Sequence, residues 1–282
     1  MSIEVRGVDF FGEDRLLFAS DESVTEEHLE LIRRRGATMI ELRGAATRGR
    51  DPGRLRFLAD VPGLISVDLF DSGAARLPPE LLPALESLGL FGRCTTVVEP
   101  ATVPRLRVFG GPADRLGEGR FGPALWRLIL TRWSGKTLAR IPMGDGLDSI
   151  EVRGIGQCID IGLPEAPVLR SIEIADVEIG SLEGLERLPL LEHVGIHPRF
   201  NSDVATLRHI DLSPLEHSRR LQWLVVGLQG YLDNMQAIAA HPDLMQVMGY
   251  ESFFPEEYRD APWAAVLEDR AAVRELIRAG RA

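Results

Sequence analysis

Some residues in the 282-residue sequence have types and spacings that could support chemistry. Residues 134–137 read Ser-Gly-Lys-Thr, which is the ending of a phosphate-binding loop. That loop also requires a glycine five residues before Gly135, where this chain has Leu130, so a nucleotide site is not expected. His193 and His197 are four residues apart, a spacing at which two histidines on a helix can share a metal ion.

The remaining chemistry-bearing residues do not form a catalytic set. Cys94 and Cys158 are the only cysteines, and no serine lies in a Gly-x-Ser-x-Gly elbow. No pair of carboxylates can be assigned as general acid and base from spacing alone. His193 and His197 fall on a segment that alternates like a strand, where this spacing does not bring two ligands together. The sequence therefore predicts no catalytic residue, no metal site and no cofactor.

Composition limits the class of protein. The chain is 45% hydrophobic and 26% charged, which is typical of globular proteins and excludes disorder and a disulfide-dense mini-protein. Its net charge of −10 disfavours nucleic acid and anionic membranes as partners. No apolar run reaches the ~18 residues of a membrane span, and the N-terminus lacks a signal-peptide pattern. With two scattered cysteines, these features predict a cytoplasmic protein.

An internal period organises the chain. The segments that begin at Leu125, Leu147, Leu169 and Leu191 share the form Leu-x-x-apolar-x-apolar and follow one another in steps of 22 residues. Each segment ends in the alternation of a strand with one buried face, and a unit this short buries that face only by stacking on its neighbours. With weaker copies on both sides, the predicted central apolar residues are Ile40, Val67, Leu88, Leu106, Leu128, Ile150, Ile172, Val194, Leu224 and Val247.

This pattern resembles the leucine-rich repeat family, in the 22-residue class familiar from bacterial internalin-like proteins. The resemblance covers residues 37–250 and is closest over 169–190. It implies an α/β solenoid of about ten units, with a parallel β-sheet on the concave face and short helical or 3-10 returns.

One position departs from the family pattern. The family usually has asparagine three residues after the last strand leucine, where it bonds the turn backbone. This chain has Trp133, Ile155, Val177 and Arg199 there, so its turns need another hydrogen-bonding group. A different parallel solenoid is the structural alternative.

Helical caps are predicted at both ends of the repeat region. Residues 1–36 form the N-terminal cap, with a helix that begins after Ser23 or Thr25 and ends before Gly36. Residues 251–282 form the C-terminal cap, with a helix that opens at Pro262.

Two segments interrupt the regular spacing of the repeats. The insertion at 198–220 carries apolar residues and is expected to pack against the protein; these are Leu207, Ile210, Leu212 and Leu215. The Gly-rich loop at 110–122 lacks a clear apolar pattern and is expected to be the most flexible segment.

The phase of the strands predicts which side chains point away from the core. The family resemblance places these side chains on the concave face, which usually binds partners. Aromatic and arginine residues are enriched at binding hot spots. The alternative is that the phenylalanines lie beneath the N-terminal cap or the 110–122 loop. The predicted partner-binding residues are Phe70, Phe91, Phe109, Trp126, Arg105, Arg107, Arg127, Glu151 and Glu173.

The leading hypothesis is a non-catalytic bacterial module, monomeric, that binds another protein through its concave face. A narrower form is an immunity or inhibitor protein that neutralises a toxin or an enzyme. The alternative is an enzyme or a small-ligand-binding protein with a polar pocket formed by His193, His197, Glu173 and Asp176. A third hypothesis is a structural domain that associates with itself.

Overall fold

The computed structural model describes residues 4–20, 22–43, 55–70, 76–91, 94–163, 166–197, 208–227, 230–269, 274 and 278. The chain divides into two compact units, residues 1–131 and 132–282. Over the described ranges the strands form a mostly parallel main sheet of 13 strands and two sheets of two strands each. This architecture is compatible with the predicted solenoid-like α/β fold.

Unit 1 opens with the antiparallel hairpin of β1 (Glu4–Phe10) and β2 (Glu13–Ser20), followed by helix α1 (Glu26–Arg35). Parallel strands continue from β2, each returned by a short segment that includes 3-10 turns. These strands are β3 (Met39–Leu42), β4 (Ser66–Phe70), β5 (Ser87–Phe91), β6 (Val108–Pro112) and β7 (Arg127–Trp133), the last of which runs into unit 2. The 3-10 turns are Arg56–Asp60, Pro79–Ala84, Pro100–Thr102 and Ala113–Arg115.

Helix α1 begins and ends at the predicted residues. Thr25 is its N-cap, and the backbone N–H of Thr25 donates to Nδ1 of His28 at 3.1 Å. Gly36 ends the helix in the left-handed conformation, with φ of 69°, which glycine adopts without strain. Leu29 and Ile32 are buried and hold the helix to the core of unit 1.

Unit 2 alternates strands of the main sheet with strands of the two small sheets. In chain order its elements are β8 (Ser149–Gly154), β9 (Cys158–Asp160), β10 (Ser171–Ala175), β11 (Glu178–Ser181), β12 (His193–His197), β13 (Arg208–Asp211), β14 (Trp223–Gly227), β15 (Gly230–Asp233), α2 (Gln236–Ala239), β16 (Gln246–Tyr250) and β17 (Ala264–Leu267). Strands β9 and β11 pair with each other, as do β13 and β15. The 3-10 turns are Leu138–Arg140, Leu185–Arg187, Ser213–Leu215 and Glu256–Tyr258.

Apolar residues of neighbouring strands align and fill the core. Ile172 of β10 pairs with Ile150 of β8 and Val194 of β12, and all three side chains are inaccessible to solvent. Val194 pairs in turn with Leu224 of β14, and the row continues to Val247 of β16. In unit 1 the corresponding row includes Ile40, Val67, Leu88 and Leu128. Within each unit, the central residues predicted from the repeat therefore align as expected, with one exception.

The exception is β6, where the predicted register is wrong by three residues. Phe109, not Leu106, pairs with Leu88 and Leu128, and Phe109 is fully buried. The prediction that Phe109 contributes to the partner-binding face is therefore wrong. The cause is the pair Gly110 and Gly111, which reads as a loop but continues the strand.

Gly110 and Gly111 also led to the prediction of a flexible loop at 110–122, which is wrong over its first residues. Residues 110–112 complete β6, and a 3-10 turn follows at Ala113–Arg115. Leu116 then forms a parallel bridge with Val98. The N-terminal half of this segment is therefore regular structure, contrary to the prediction.

The predicted C-terminal helix and insertion differ in outcome. Ala264–Leu267 form β17, which pairs in parallel with β16, so a helix that opens at Pro262 is wrong over these residues. Beyond it, Arg274 and Arg278 are helical. In the predicted insertion Ile210, Leu212 and Leu215 are buried as expected. Leu207 and the rest of 198–207 lie outside the described residues.

In unit 2 a glutamine side chain forms hydrogen bonds to the turn backbone of the kind that asparagine forms in the family. Nε2 of Gln157 donates to the Trp133 carbonyl at 2.6 Å, and its Oε1 accepts from the backbone N–H of Ile155 at 2.9 Å. One side chain thus satisfies the backbone of two successive turns, both at positions where the family has asparagine. The expectation that the turns need another hydrogen-bonding group is confirmed here.

We predict that Phe109→Ala lowers the free energy of unfolding by about 3–5 kcal/mol, because it leaves a cavity in the core. Phe91→Ala should cost much less, because Phe91 is only partly buried. Urea unfolding of both variants, followed by circular dichroism, measures the difference. Equal losses would contradict the register that places Phe109 in the core.

Candidate functional site

Strands in the interior of the main sheet have one face in the core and one face away from it, which we call the open face. In β10 the residues of the open face alternate with the buried Ile172 and Ile174. Five predicted site residues lie on the open face of strands, namely Phe70, Phe91, Arg127, Glu151 and Glu173. Three others precede strands β6 and β7, namely Arg105, Arg107 and Trp126.

Two of the predicted phenylalanines stack on the open face of unit 1. The ring centroids of Phe70 and Phe91 are 5.1 Å apart, and the ring planes differ by 19°. The guanidinium carbon of Arg43 lies over the Phe70 ring, 4.3 Å from its centroid. Gly89 and Gly110 leave space for the Phe91 ring, because a Cβ on either glycine would lie within 2.6 Å of a ring atom. The result is a row of an arginine and two phenylalanines, which we call the aromatic row.

Two carboxylates lie beside the aromatic row. Glu41 and Asp68 occupy paired positions on β3 and β4. Nε of Arg43 donates to Oε1 of Glu41 at 2.7 Å. In the described part of the chain, Asp68 has no hydrogen-bond donor among the groups that act on it. A Cβ on Gly89 would lie 2.1 Å from Oδ1 of Asp68 and 2.6 Å from Cε2 of Phe91, so the carboxylate and the ring both extend into the space that glycine leaves free.

The surroundings of Asp68 disfavour its charged form. Burial raises the pKa of Asp68 to about 6, with a further rise from the charge of Glu41 that Arg43 opposes. At neutral pH the side chain is therefore mostly an ionised carboxylate held in an environment that does not solvate it well. Such carboxyl groups occur preferentially at functional sites.

A second aromatic cluster in unit 1 involves the tip of the β1–β2 hairpin. The Phe11 ring meets the Trp126 ring edge to face, with centroids 6.1 Å apart, and the Arg107 guanidinium lies 3.8 Å from the Phe11 centroid. Phe11 has φ of 54°, and a bulky residue in this region costs about 1–2 kcal/mol. Gly12 follows with φ of 83°, and its N–H donates to Oδ1 of Asp9 at 2.8 Å.

The alternative placed the phenylalanines beneath the N-terminal cap, but the hairpin tip covers other predicted site residues. It contacts Trp126 and Arg107, whereas Phe70 and Phe91 stack with each other. Arg105 and Arg107 both approach Glu86, at 2.7 and 3.9 Å. The predicted group of aromatic and arginine residues in unit 1 is therefore two clusters, each with its own partners.

A carboxylate between two histidines is the main polar cluster of unit 2. Oε1 of Glu173 lies 2.5 Å from Nε2 of His193, and its Oε2 lies 3.0 Å from Nε2 of His197. Gly195 lies between the two histidines on β12 and accommodates the carboxylate, because a Cβ there would be 2.0 Å from Oε2. The two histidines of β12 thus contact the same carboxylate, that of Glu173 on the neighbouring strand β10. The sequence prediction that they do not converge is wrong in this sense.

The environment of Glu173 contains opposing effects on its pKa. Burial raises the pKa of Glu173, but the hydrogen bonds and charges of His193 and His197 outweigh burial and bring it below its ordinary value. About a third to a half of each of the three side chains is exposed, at 34%, 35% and 48% for Glu173, His193 and His197. Asp176, the fourth predicted member of the cluster, lies in the turn after β10 with φ of 59°.

Charged and apolar residues surround this cluster on opposite sides. Arg170 bridges Asp148 and Glu192, each at 3.3 Å, while Arg153 pairs with Glu151 at 2.8 Å. On the other side, Trp223 of β14 pairs with His193 and is 38% exposed. The predicted acidic residues Glu151 and Glu173 are therefore both bound by neighbours in the same unit, Glu151 by Arg153 and Glu173 by the two histidines.

A separate cleft of about 530 Å³ lies elsewhere in unit 2, away from the open face. Residues of β11, β13 and the turns after them line it, including Glu183, His209, Asp211 and His217. Nδ1 of His209 pairs with Asp233 at 3.0 Å. Asn234 and Ser213 both donate to Asp211, which keeps its pKa below the ordinary range. His209 and Asp211 therefore each bind neighbouring residues.

The other sequence motifs have structural partners. Thr137 caps the 3-10 turn at 138–140, with its hydroxyl oxygen accepting from the N–H of Ala139 at 3.2 Å. Cys94 is buried and its thiol donates to Oγ1 of Thr96 at 3.4 Å, Cys158 is exposed, and these two cysteines form no disulfide. In the described ranges no group of three metal-ligating residues occurs, and no helix is long and apolar enough to cross a bilayer.

Several residues of these clusters were not among the predicted site residues. Arg43 and Asp68 share strand positions with predicted residues, and the like charges of Glu41 and Asp68 at paired positions are the signal that marks them. Phe11 carried no such signal, because its partners are distant in sequence.

The comparisons with known proteins leave the family open. No protein-family model matches the sequence, and no curated protein matches it either.

We predict that the free energy of unfolding falls less with rising pH in Asp68→Asn than in the wild type. The pKa of Asp68 is higher in the folded state than its ordinary value of 3.8, so the folded state holds its proton more tightly. The wild type should therefore lose stability, on the order of 2 kcal/mol, as pH rises from about 4 through 6. Urea unfolding at pH 4.5 and 7.5 should show a smaller change in Asp68→Asn. An unchanged pH dependence would contradict the burial of an ionisable Asp68.

We predict that Gly195→Ala separates Glu173 from both histidines without unfolding the chain. The added Cβ meets the flexible end of Glu173, so the carboxylate moves and the strand does not. The pKa of Glu173, measured by carboxyl ¹³C NMR, should then rise. Gly7→Ala is the matched control, because a Cβ there meets no atom within 4 Å. An unaltered Glu173 pKa in Gly195→Ala would show that the histidines do not hold it down.

Proposed function

We propose that this chain is a leucine-rich-repeat protein that binds another protein through the open face of its sheet and catalyses no reaction. The family assignment rests on the 22-residue period together with the pairing of its central apolar residues on successive strands, as for Ile150, Ile172 and Val194. The family places this face of the sheet on the inside of its curve, where partners usually bind.

The aromatic row is the observation that carries the proposal. Phe70 and Phe91 stack outside the core, on the open face of β4 and β5. Large side chains already held in one orientation lose little conformational freedom on binding, and this is why aromatic and arginine residues dominate binding energy in protein interfaces. Arg43 supplies both a cation and a planar surface at the end of the row.

The His193–Glu173–His197 cluster is the observation that bears on an enzyme or a small-ligand site. Its three side chains lie on the open face and are 34–48% exposed. Enzyme and ligand sites usually bury most of the bound molecule in a concave pocket. This exposure favours a contribution of the cluster to a protein interface.

We predict that Phe91→Ala weakens partner binding by about 30-fold or more, as expected for a hot-spot residue worth about 2 kcal/mol. Wild type and variant, both shown to be folded, are immobilised and used to capture proteins from the native lysate, which are quantified by mass spectrometry. The dissociation constant of the captured protein is then measured for each.

Val97→Ala is the control for this experiment. Val97 is an apolar residue of unit 1 that is 46% exposed but lies outside the open face, so its loss should not alter capture. A partner bound equally by wild type and Phe91→Ala would contradict the assignment of the aromatic row. The narrower form of the proposal, an immunity or inhibitor protein, further predicts that the captured protein is a toxin or an enzyme that loses activity in the complex.

A further inference from the structure

We propose that Asp68, with Phe91 beside it, is a binding site for an arginine side chain of the partner protein. This inference rests on the proposed function and names what the partner brings to the aromatic row. It follows from the arrangement of charges and rings around β3, β4 and β5.

The first observation is an unbalanced pair of like charges. Glu41 and Asp68 occupy paired positions on neighbouring strands, an arrangement that destabilises a sheet when both side chains are ionised. Arg43 bonds Glu41, and no described cation bonds Asp68. Strand β5 adds only Gly89 and Phe91 next to Asp68, neither of which is charged. A second cation at Asp68 would complete the charge balance.

The second observation is that the arrangement around Arg43 recurs one strand further along. In the first copy, Glu41 of β3 and Phe70 of β4 hold a guanidinium, which lies over the ring and donates to the carboxylate. In the second copy, Asp68 of β4 and Phe91 of β5 stand in the same strand-to-strand relation, and Phe70 takes the place of Arg43 on the ring, so a guanidinium bound by Asp68 would lie beside the stacked rings. Arg43 therefore shows how a guanidinium is bound by a carboxylate and a ring at this face.

The chemistry of the site favours arginine over other cations. A guanidinium combines a planar surface that contacts aromatic rings with donors that bond a carboxylate. A metal ion needs more ligands than one carboxylate supplies, and the described residues hold no group of three metal-ligating side chains. The net charge of −10 also attracts a basic partner segment. Asp68 keeps part of its surface accessible, so a side chain can reach it.

The site is tested on the full chain with the peptide acetyl-Ala-Arg-Ala-amide as the probe. Its neutral counterpart, in which citrulline replaces arginine, has the same shape without the charge. Binding is followed by NMR, including the carboxyl ¹³C signal of Asp68. We expect the arginine peptide to bind at least about tenfold more tightly than the citrulline peptide at pH 7.5. We also expect its affinity to fall as the pH is lowered through 6, where Asp68 takes up a proton.

Two variants make the assignment specific. Asp68→Asn should lose about tenfold or more in affinity and most of the pH dependence, while it should fold well because it removes a buried charge. Glu80→Gln removes an exposed negative charge from the 3-10 turn Pro79–Ala84 of unit 1, outside the open face, and should bind the arginine peptide as the wild type does. Equal binding of the peptide by wild type and Asp68→Asn would overturn the inference, as would equal binding of the arginine and citrulline peptides.

The capture experiment with Asp68→Asn separates this inference from the proposed function. A partner lost by both Phe91→Ala and Asp68→Asn supports both. A partner lost by Phe91→Ala but retained in full by Asp68→Asn supports the proposed function and overturns the inference. Peptide binding that depends on Asp68, in a chain that captures no protein, supports the cation site and contradicts the proposed function.

Discussion

The structure depends on the burial of one apolar row that no single repeat can bury by itself. Ile150, Ile172 and Val194 are inaccessible to solvent because each is covered by the strands on either side of it. This burial fixes the register of each parallel pair, since a shift by one residue would turn the apolar side chains away from the core. The residues between them are thereby placed on the open face. The positions of Glu173 and the aromatic row are therefore consequences of packing on the other side of the sheet.

Glycine determines which of those outward side chains lie flat on the sheet. Gly89 and Gly110 leave room for the Phe91 ring, and Gly195 leaves room for the Glu173 carboxylate. Phe91 leans over Gly110 of β6 and Glu173 over Gly195 of β12, where the missing Cβ gives each side chain space. Each of these contacts therefore requires two residues on adjacent strands, a large side chain on one strand and a glycine on the other.

This joint dependence explains what the sequence could and could not predict. The apolar period predicted the paired core residues and the burial of Ile210, Leu212 and Leu215, because burial of this kind follows from a pattern along the chain. The sequence also predicted the ends of α1, because the capping residues Thr25 and Gly36 bond only to the adjacent turn of the helix. It failed at β6, where two glycines within a strand have the same composition as a loop. It also failed for β17, whose short apolar run is compatible with either a helix or a strand.

Contacts between side chains on the open face were harder to predict than the strands that carry them. His193 and His197 lie at opposite ends of β12, and only a neighbouring carboxylate above Gly195 brings them into one cluster. That requires knowledge of which strand pairs with which, and in what register. The same limit applied to Asp68, whose unusual environment arises from residues on β3 and β5.

The hairpin tip has a consequence for how unit 1 is synthesised and folded. Most contacts of a repeat protein join segments close in sequence, so successive repeats can add to the sheet as the ribosome produces them. Phe11 is an exception, since its partners Arg107 and Trp126 are made about a hundred residues later. The Phe11 ring at the tip of the N-terminal hairpin therefore lacks these two partners until β6 and β7 have emerged from the ribosome. The contact can form only when the strands of unit 1 have been synthesised, and until then the nascent chain exposes an aromatic side chain at the hairpin tip.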